Sequence, residues 1–210
     1  MNQPVFVAGT GVISAIGNNL SENLEALVNC RAGIGPMKYL DSVYRDKLPV
    51  AEVKLSNEAL SQLAGLPVTK SRTALLSAIA AREAISNAGI DDLKKYRSGF
   101  ISANSVGGMD KSEKFFVQFL SGNNHGKLRD VIHHECGSVT ELVADALGIK
   151  NHISTISTAC SSSANAIFYG ARLIKNNLLD VVVAGGTDAL TRFTLNGFNT
   201  LMILDEQLCQ

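Results

Sequence analysis

Residues 181–186 read Val-Val-Val-Ala-Gly-Gly, an apolar run with no polar alternation. Branched side chains on both sides of an extended chain need cover on both faces, and such strands belong to parallel sheets held between helices. The rest of the chain repeats that demand. Val5, Phe6, Val7 and Ala8 form a second apolar run, residues 100–103 a third and residues 153–156 a fourth. Helical spacings separate them: Leu20, Leu24, Leu27 and Val28 behind the capping types Asn19 and Ser21; Ala74, Ala78, Ala81, Ile85 and Ala88, stopped at Gly89; Val139, Leu142, Val143, Ala146 and Leu147, stopped at Gly148. The alternation predicts an α/β fold with a largely parallel sheet, and the small residues of the middle stripe predict close helix packing.

Further elements follow from local signals. Asp110 with Glu113 three residues on resembles a capping box for a helix carrying Phe115, Phe116, Phe119 and Leu120. A helix is expected just after Cys160, with Ala164, Ile167, Phe168, Ala171 and Ile174 as its inward stripe. Residues 32–67 are punctuated by Gly33, Gly35, Pro36, Pro49 and Pro67, which predicts a long surface excursion with at most short elements. Residues 121–135 read as a polar loop.

Composition narrows the function classes. The 210 residues carry 19 Lys plus Arg against 19 Asp plus Glu, and the longest basic stretch is Lys94-Lys95-Tyr96-Arg97, so neither nucleic acid nor an anionic membrane is an expected partner. The apolar N-terminal stretch has no preceding Lys or Arg and is broken by Gly9, Gly11 and Gly17, unlike a secretory signal. The run near residues 178–189 contains Asp180 and Asp188 and is too short to span a bilayer. Cysteines at 30, 136, 160 and 209 have no paired spacing, which fits a reducing, cytoplasmic setting rather than a disulfide framework or a zinc finger.

The chemistry concentrates at Ser157-Thr158-Ala159-Cys160-Ser161-Ser162-Ser163. This places a cysteine between an expected strand and the first turn of a helix, where free N–H groups and the helix dipole favour a thiolate and can donate to an oxyanion. The small neighbours Ala159 and Ser161 to Ser163 leave room for a substrate; the plain alternative is a buried cysteine among serine caps. Other signals are weaker. Gly9-Thr10-Gly11 lacks the third glycine of a dinucleotide loop, because position 14 is Ser14, and reads as a tight turn. His133, His134 and Cys136 lack a second ligand pair, so no metal is expected. Asp188 reads as a carboxylate that caps loop N–H groups rather than a general base.

The Cys160 segment, followed by a helix and then Val181-Val182-Val183-Ala184-Gly185-Gly186-Thr187-Asp188, closely resembles the β-ketoacyl-acyl-carrier-protein synthases of the thiolase-like superfamily. Val7-Ala8-Gly9-Thr10-Gly11-Val12-Ile13-Ser14, Ser105-Val106-Gly107-Gly108-Met109 and Asn196-Gly197-Phe198 extend the resemblance in order over nearly the whole chain. It implies a thiolase-like fold: one N-terminal ketoacyl-synthase domain over residues 1–210, with a mostly parallel mixed sheet flanked by helices and its last strand missing. It implies that Cys160 takes an acyl group from a carrier-protein phosphopantetheine thioester, that its own N–H serves the oxyanion, and that a malonyl thioester then decarboxylates and attacks. Val106 would line the acyl pocket, with Ala159 and Ser161 beside the substrate. No cofactor is implied. The implied partners are an acyl carrier protein and a second subunit, in a homodimer or heterodimer paired along residues 153–156.

Three departures accompany the resemblance, the smallest being Lys150-Asn151-His152 in place of the more usual Gly-Pro pairing before the strand expected at residues 153–156. Such enzymes use two histidines, usually with a lysine, from a second half; His125, His133, His134 and His152 all precede Cys160 and match none of those motifs. The chain is therefore expected to be the N-terminal part of a synthase, inactive alone, or else a noncatalytic partner subunit; a coenzyme A-dependent thiolase-like enzyme ranks below both. The polar stretch Asp130-Val131-Ile132-His133-His134-Glu135 stands where the family is more apolar, which leaves a long saturated acyl chain less well provided for.

Overall fold

The computed structural model describes residues 4–207. Three parallel strands, β1 (Ser98–Ala103), β2 (His152–Ile156) and β3 (Val181–Gly186), form a sheet in the order β2-β1-β3. Seven α-helices accompany them: α1 (Leu20–Val28), α2 (Asn57–Ala64), α3 (Arg72–Asn87), α4 (Met109–Leu120), α5 (Cys136–Leu147), α6 (Ser162–Lys175) and α7 (Arg192–Thr200). The sheet of the α/β class and its flanking helices are as the alternation requires.

The central strand shows why. Phe100 turns to one face, into a core with Leu75, Ala78, Val139, Val143 and Ile149 from α3, α5 and the turn after α5. Ile101 and Ala103 turn to the other, against Ala166 and Leu173 of α6. All six residues of β1 are therefore buried. The alanine stripe of α3 makes its close contacts: Ala74 and Ala78 are wholly buried, and a Cβ on Gly9 or Gly11 would overlap the backbone of Ala84 and Ala88 or of Ala80 and Ala84.

Several expectations change at this level. Val5, Phe6, Val7 and Ala8 form no strand; no described strand pairs with them, and Phe6 and Val7 stay about four-fifths exposed (80% and 81%). Gly9 to Gly11 is no tight turn either, because the chain there lies along α3 while the reversal comes at the Ser14–Gly17 bridge. β3 is half-buried rather than fully buried, since its only described neighbour is β1. The inward stripe of α6 is Ser162, Ala166, Gly170 and Leu173; Ile167 and Phe168 face outward. A Cβ on Gly170 would meet Val182, so the helix comes closest to the sheet where it has no side chain.

The capping-box expectation fails in an instructive way. α4 has Gly108 as N-cap and no side-chain cap. Asp110 instead accepts the Arg72 N–H of α3 (3.1 Å) and Glu113 the Phe193 N–H of α7 (2.6 Å), so both carboxylates cap other helices. The stretch 32–67 is more structured than a surface excursion, holding α2 and sending Met37, Leu48 and Val50 into a small core with Leu195 of α7. The loop 121–135 keeps one 3-10 turn, Leu128–Asp130.

Candidate active site

Parallel strands bring their carboxyl ends to one edge, the usual place for a site in such sheets. Here that edge collects three loops: Asn104, Ser105 and Val106 after β1, Ser157 to Cys160 after β2, and Thr187 and Asp188 after β3. Hydrogen bonds tie them together. Asn104 N–H donates to the Ile156 carbonyl (3.2 Å), and Thr187 N–H to the Ala103 carbonyl (2.9 Å). Asp188 accepts the N–H groups of Ser105 and Val106, each at 2.9 Å. That is the loop-capping role read from the sequence. Burial pushes the Asp188 carboxyl up from its ordinary value, and the two N–H donors oppose the shift.

Cys160 stands at a sharp elbow. β2 ends at Ile156, Ala159 takes the left-handed conformation (φ +52°), and a 3-10 turn, Ala159–Ser161, leads into α6 at Ser162. The thiol is free and exposed, and so are Ala159 and Ser161. Cys160 is therefore not the buried cysteine of the plain alternative. Val106 emerges on the same edge, half-buried, its N–H held by Asp188.

The second cysteine near this edge has the opposite character. Cys136 opens α5, half-buried; burial pushes its thiol up, the Asp188 charge adds to that, and a Ser157 hydrogen bond opposes it. A thiol held protonated is a poor nucleophile at neutral pH. Asn104, 2% exposed, donates its amide to the Cys136 carbonyl (3.3 Å) and braces this corner. Only its place just after a strand could have signalled it.

The histidines make contacts away from Cys160. Cβ atoms on Gly107 and Gly108 would overlap the carbonyls of His134 and His133, so the loop carrying Val106 lies directly on that segment. The His134 ring pairs with Ser112 (2.9 Å), His125 with Ser121 (3.1 Å), and His152 tilts against Tyr169. No histidine hydrogen-bonds to Cys160 among the described residues. Among those residues no three His, Cys, Asp or Glu side chains are grouped as a metal ion needs. Two clefts, one between α4 and Arg192 and one beside Gly89 and Leu93, leave Cys160 and Val106 outside their walls.

Gly108 offers a clean test of this packing, because its φ of −93° is open to any residue and only space forbids a side chain. Gly108→Ala is expected to cost about 1–3 kcal/mol of stability in urea unfolding. A cost under about 0.5 kcal/mol would mean that the 133–134 backbone yields freely.

The comparisons with known proteins bear on the family and the fold. The model of the beta-ketoacyl synthase N-terminal domain matches residues 2–209. Nodulation protein E of Rhizobium meliloti is 26% identical over 216 residues, spanning 100% of this chain and 53% of its own length. The 3-oxoacyl-[acyl-carrier-protein] synthase 2 of Coxiella burnetii is 27% identical over 208 residues, 95% of this chain and 49% of that protein. The chain thus spans about half the length of the curated relatives it matches. The solved ishigamide ketosynthase/chain length factor superposes with a TM-score of 0.89 at 23% identity, over 96% of this chain and 51% of the other, and shows the shared thiolase-like fold. The ketosynthase ApeO, solved in complex with its chain length factor ApeC from Xenorhabdus doucetiae, gives 0.77 at 26% identity over 98% and 52%. No helix among the described residues is long and apolar enough to cross a membrane. With its family model matched from residue 2 to residue 209, this chain belongs to the β-ketoacyl synthase family as an N-terminal domain.

Proposed function

We propose that Cys160 is the acyl-accepting nucleophile of a condensing enzyme whose N-terminal part is this chain. The observation that carries the reading is the exposed, free thiol on the elbow between β2 and α6. In the first step the Cys160 thiolate attacks the thioester carbonyl of an acyl group on a carrier protein. A new thioester forms on sulfur, and the carrier's phosphopantetheine thiol leaves. In the second, a malonyl thioester loses carbon dioxide, its carbanion attacks the acyl-Cys160 carbonyl, and the product departs with the cysteine thiolate regenerated. This is covalent catalysis in two half-reactions.

Val106 lines the acyl pocket in this reading, and Ala159 and Ser161 leave the approach to Cys160 open. The reaction needs no cofactor beyond the phosphopantetheine on the carrier. The partners are an acyl carrier protein and a second synthase subunit, identical or not, in the cytoplasm. β2 supports the pairing, because it is an edge strand with Ile153 40% exposed. The condensation step draws on histidines outside this chain, so the 210 residues alone do not complete the cycle.

The test is intact-mass analysis of the complete gene product after exposure to an acyl-carrier-protein thioester. One acyl adduct, mapped by peptide sequencing to Cys160, is the expected result. An adduct elsewhere sinks the assignment, and no adduct at all favours a noncatalytic subunit.

A further inference from the structure

Alanine holds a left-handed backbone only where its surroundings impose it. Ala159, directly before Cys160, has φ +52°, and side-chain hydrogen bonds span it. Ser162 is 5% exposed; its Oγ accepts the Thr158 N–H (2.7 Å), and its hydroxyl donates to the Ala159 carbonyl (2.7 Å). A single oxygen thus bridges the Thr158 N–H before the kink and the carbonyl of the kinked residue itself. A second set of bonds spans it from the solvent side: Ser161 Oγ donates to the Thr158 carbonyl (2.8 Å), and Asn165 donates to Thr158 Oγ1 (2.9 Å). Those two side chains are exposed, so water can stand in for them. Ser162, by contrast, is buried, and its hydroxyl is the one side-chain group here that serves both the Thr158 N–H and the Ala159 carbonyl.

We infer that Ser162 is a positioning residue for Cys160, holding Ala159 in the left-handed conformation that presents the thiol at the elbow. The inference rests on the nucleophilic role proposed for Cys160. Ser162 itself touches no substrate. Without its hydroxyl, the Thr158 N–H and the Ala159 carbonyl lose their shared partner, Ala159 relaxes toward negative φ, and Cys160 turns out of line with an incoming thioester. A merely structural Ser162 would predict lost stability without this link to residue 159.

The link gives the test its sign. Glycine adopts φ > 0 without the Cβ penalty, so Ala159→Gly should relieve the effect of Ser162→Ala. The complete gene product is acylated over a range of acyl-carrier-protein thioester concentrations. In parallel, iodoacetamide labelling is followed at Cys160 against Cys30, a second exposed thiol that serves as internal reference. Ser162→Ala is expected to lower the maximal acylation rate and the Cys160 labelling rate about tenfold, with the half-saturating concentration and Cys30 labelling unchanged. The double variant Ala159→Gly with Ser162→Ala is expected to recover at least about threefold of that loss. A loss below about threefold in Ser162→Ala, or a recovery below about threefold in the double variant, overturns the inference.

If Ser162→Ala does not fold, the comparison is between Ala159→Gly and the double variant. A difference under about threefold supports the inference, and a larger one overturns it. Acylation that persists in Cys160→Ala would overturn the nucleophile assignment itself, whereas a Cys160-only adduct that is indifferent to Ser162→Ala overturns the positioning role alone.

Discussion

Cys160→Ala in the complete gene product is expected to reduce condensation by roughly a thousandfold or more, measured as product formed from acyl and malonyl carrier thioesters. The size follows from the lack of a deputy. Ser161 and Ser162 follow the position, but their hydroxyls are spent on Thr158 and Ala159, and among the described residues no histidine is bonded to either as an activating base. A neutral serine hydroxyl is a poor nucleophile without such a base. Cys136 is half-buried with its thiol pushed up, and Cys30 follows α1, outside the edge where the three loops meet. Because the Cys160 side chain is exposed, the substitution should leave the unfolding midpoint unchanged, and lost activity then reports chemistry rather than folding. A rate within about tenfold of the unsubstituted enzyme would sink the covalent role.

The sequence made the local part of this arrangement legible and hid the long-range part. A β-branched run, a small-residue elbow and a helix are contiguous, so β2, Cys160 and α6 could be read in order from residues 152–175. The helices α3 and α5 and their glycine stops were readable for the same reason. Facing was harder to read. Helical spacing in α6 admits two stripes, and the larger residues Ile167 and Phe168 mimic an inward face. The sheet instead comes so near that Gly170 is needed opposite Val182. The acids of α4 misled by proximity: Asp110 and Glu113 have capping-box spacing, but their N–H partners are Arg72 and Phe193, 38 and 80 residues away. Ser162 escaped notice because serine beside a cysteine reads as a small spacer. Its significance lies in burial and in two bonds that no spacing encodes.

Glu52 concentrates the same lesson in one side chain, and its removal is the second large effect expected. It is 3% exposed, and its two oxygens accept the N–H groups of Lys38 (2.7 Å), Tyr39 (3.0 Å) and Leu40 (2.7 Å). Beside it lies Arg72, 9% exposed, which donates to Asn57 and to the carbonyls of Val53 and Leu55 and covers the Tyr39 ring. Burial pulls this guanidinium below its ordinary value while the Glu52 charge opposes the shift. Glu52→Ala would leave three N–H groups without their acceptor and Arg72 with Asp110 as its remaining carboxylate, and a buried donor left without a partner costs about 1–3 kcal/mol. Glu52→Gln keeps the shape but turns an amide N–H₂ toward backbone donors, so it should fall between alanine and the parent. The damage should reach beyond the loop, because Met37, Leu48 and Val50 share a core with Leu195, and Arg72 opens the helix on which Gly9 and Gly11 rest. Urea unfolding of the complete gene product measures the cost, and limited proteolysis should show new cleavage within 32–67. A loss below about 1 kcal/mol would mean that the stretch is held by its apolar residues alone and that the carboxylate only decorates it.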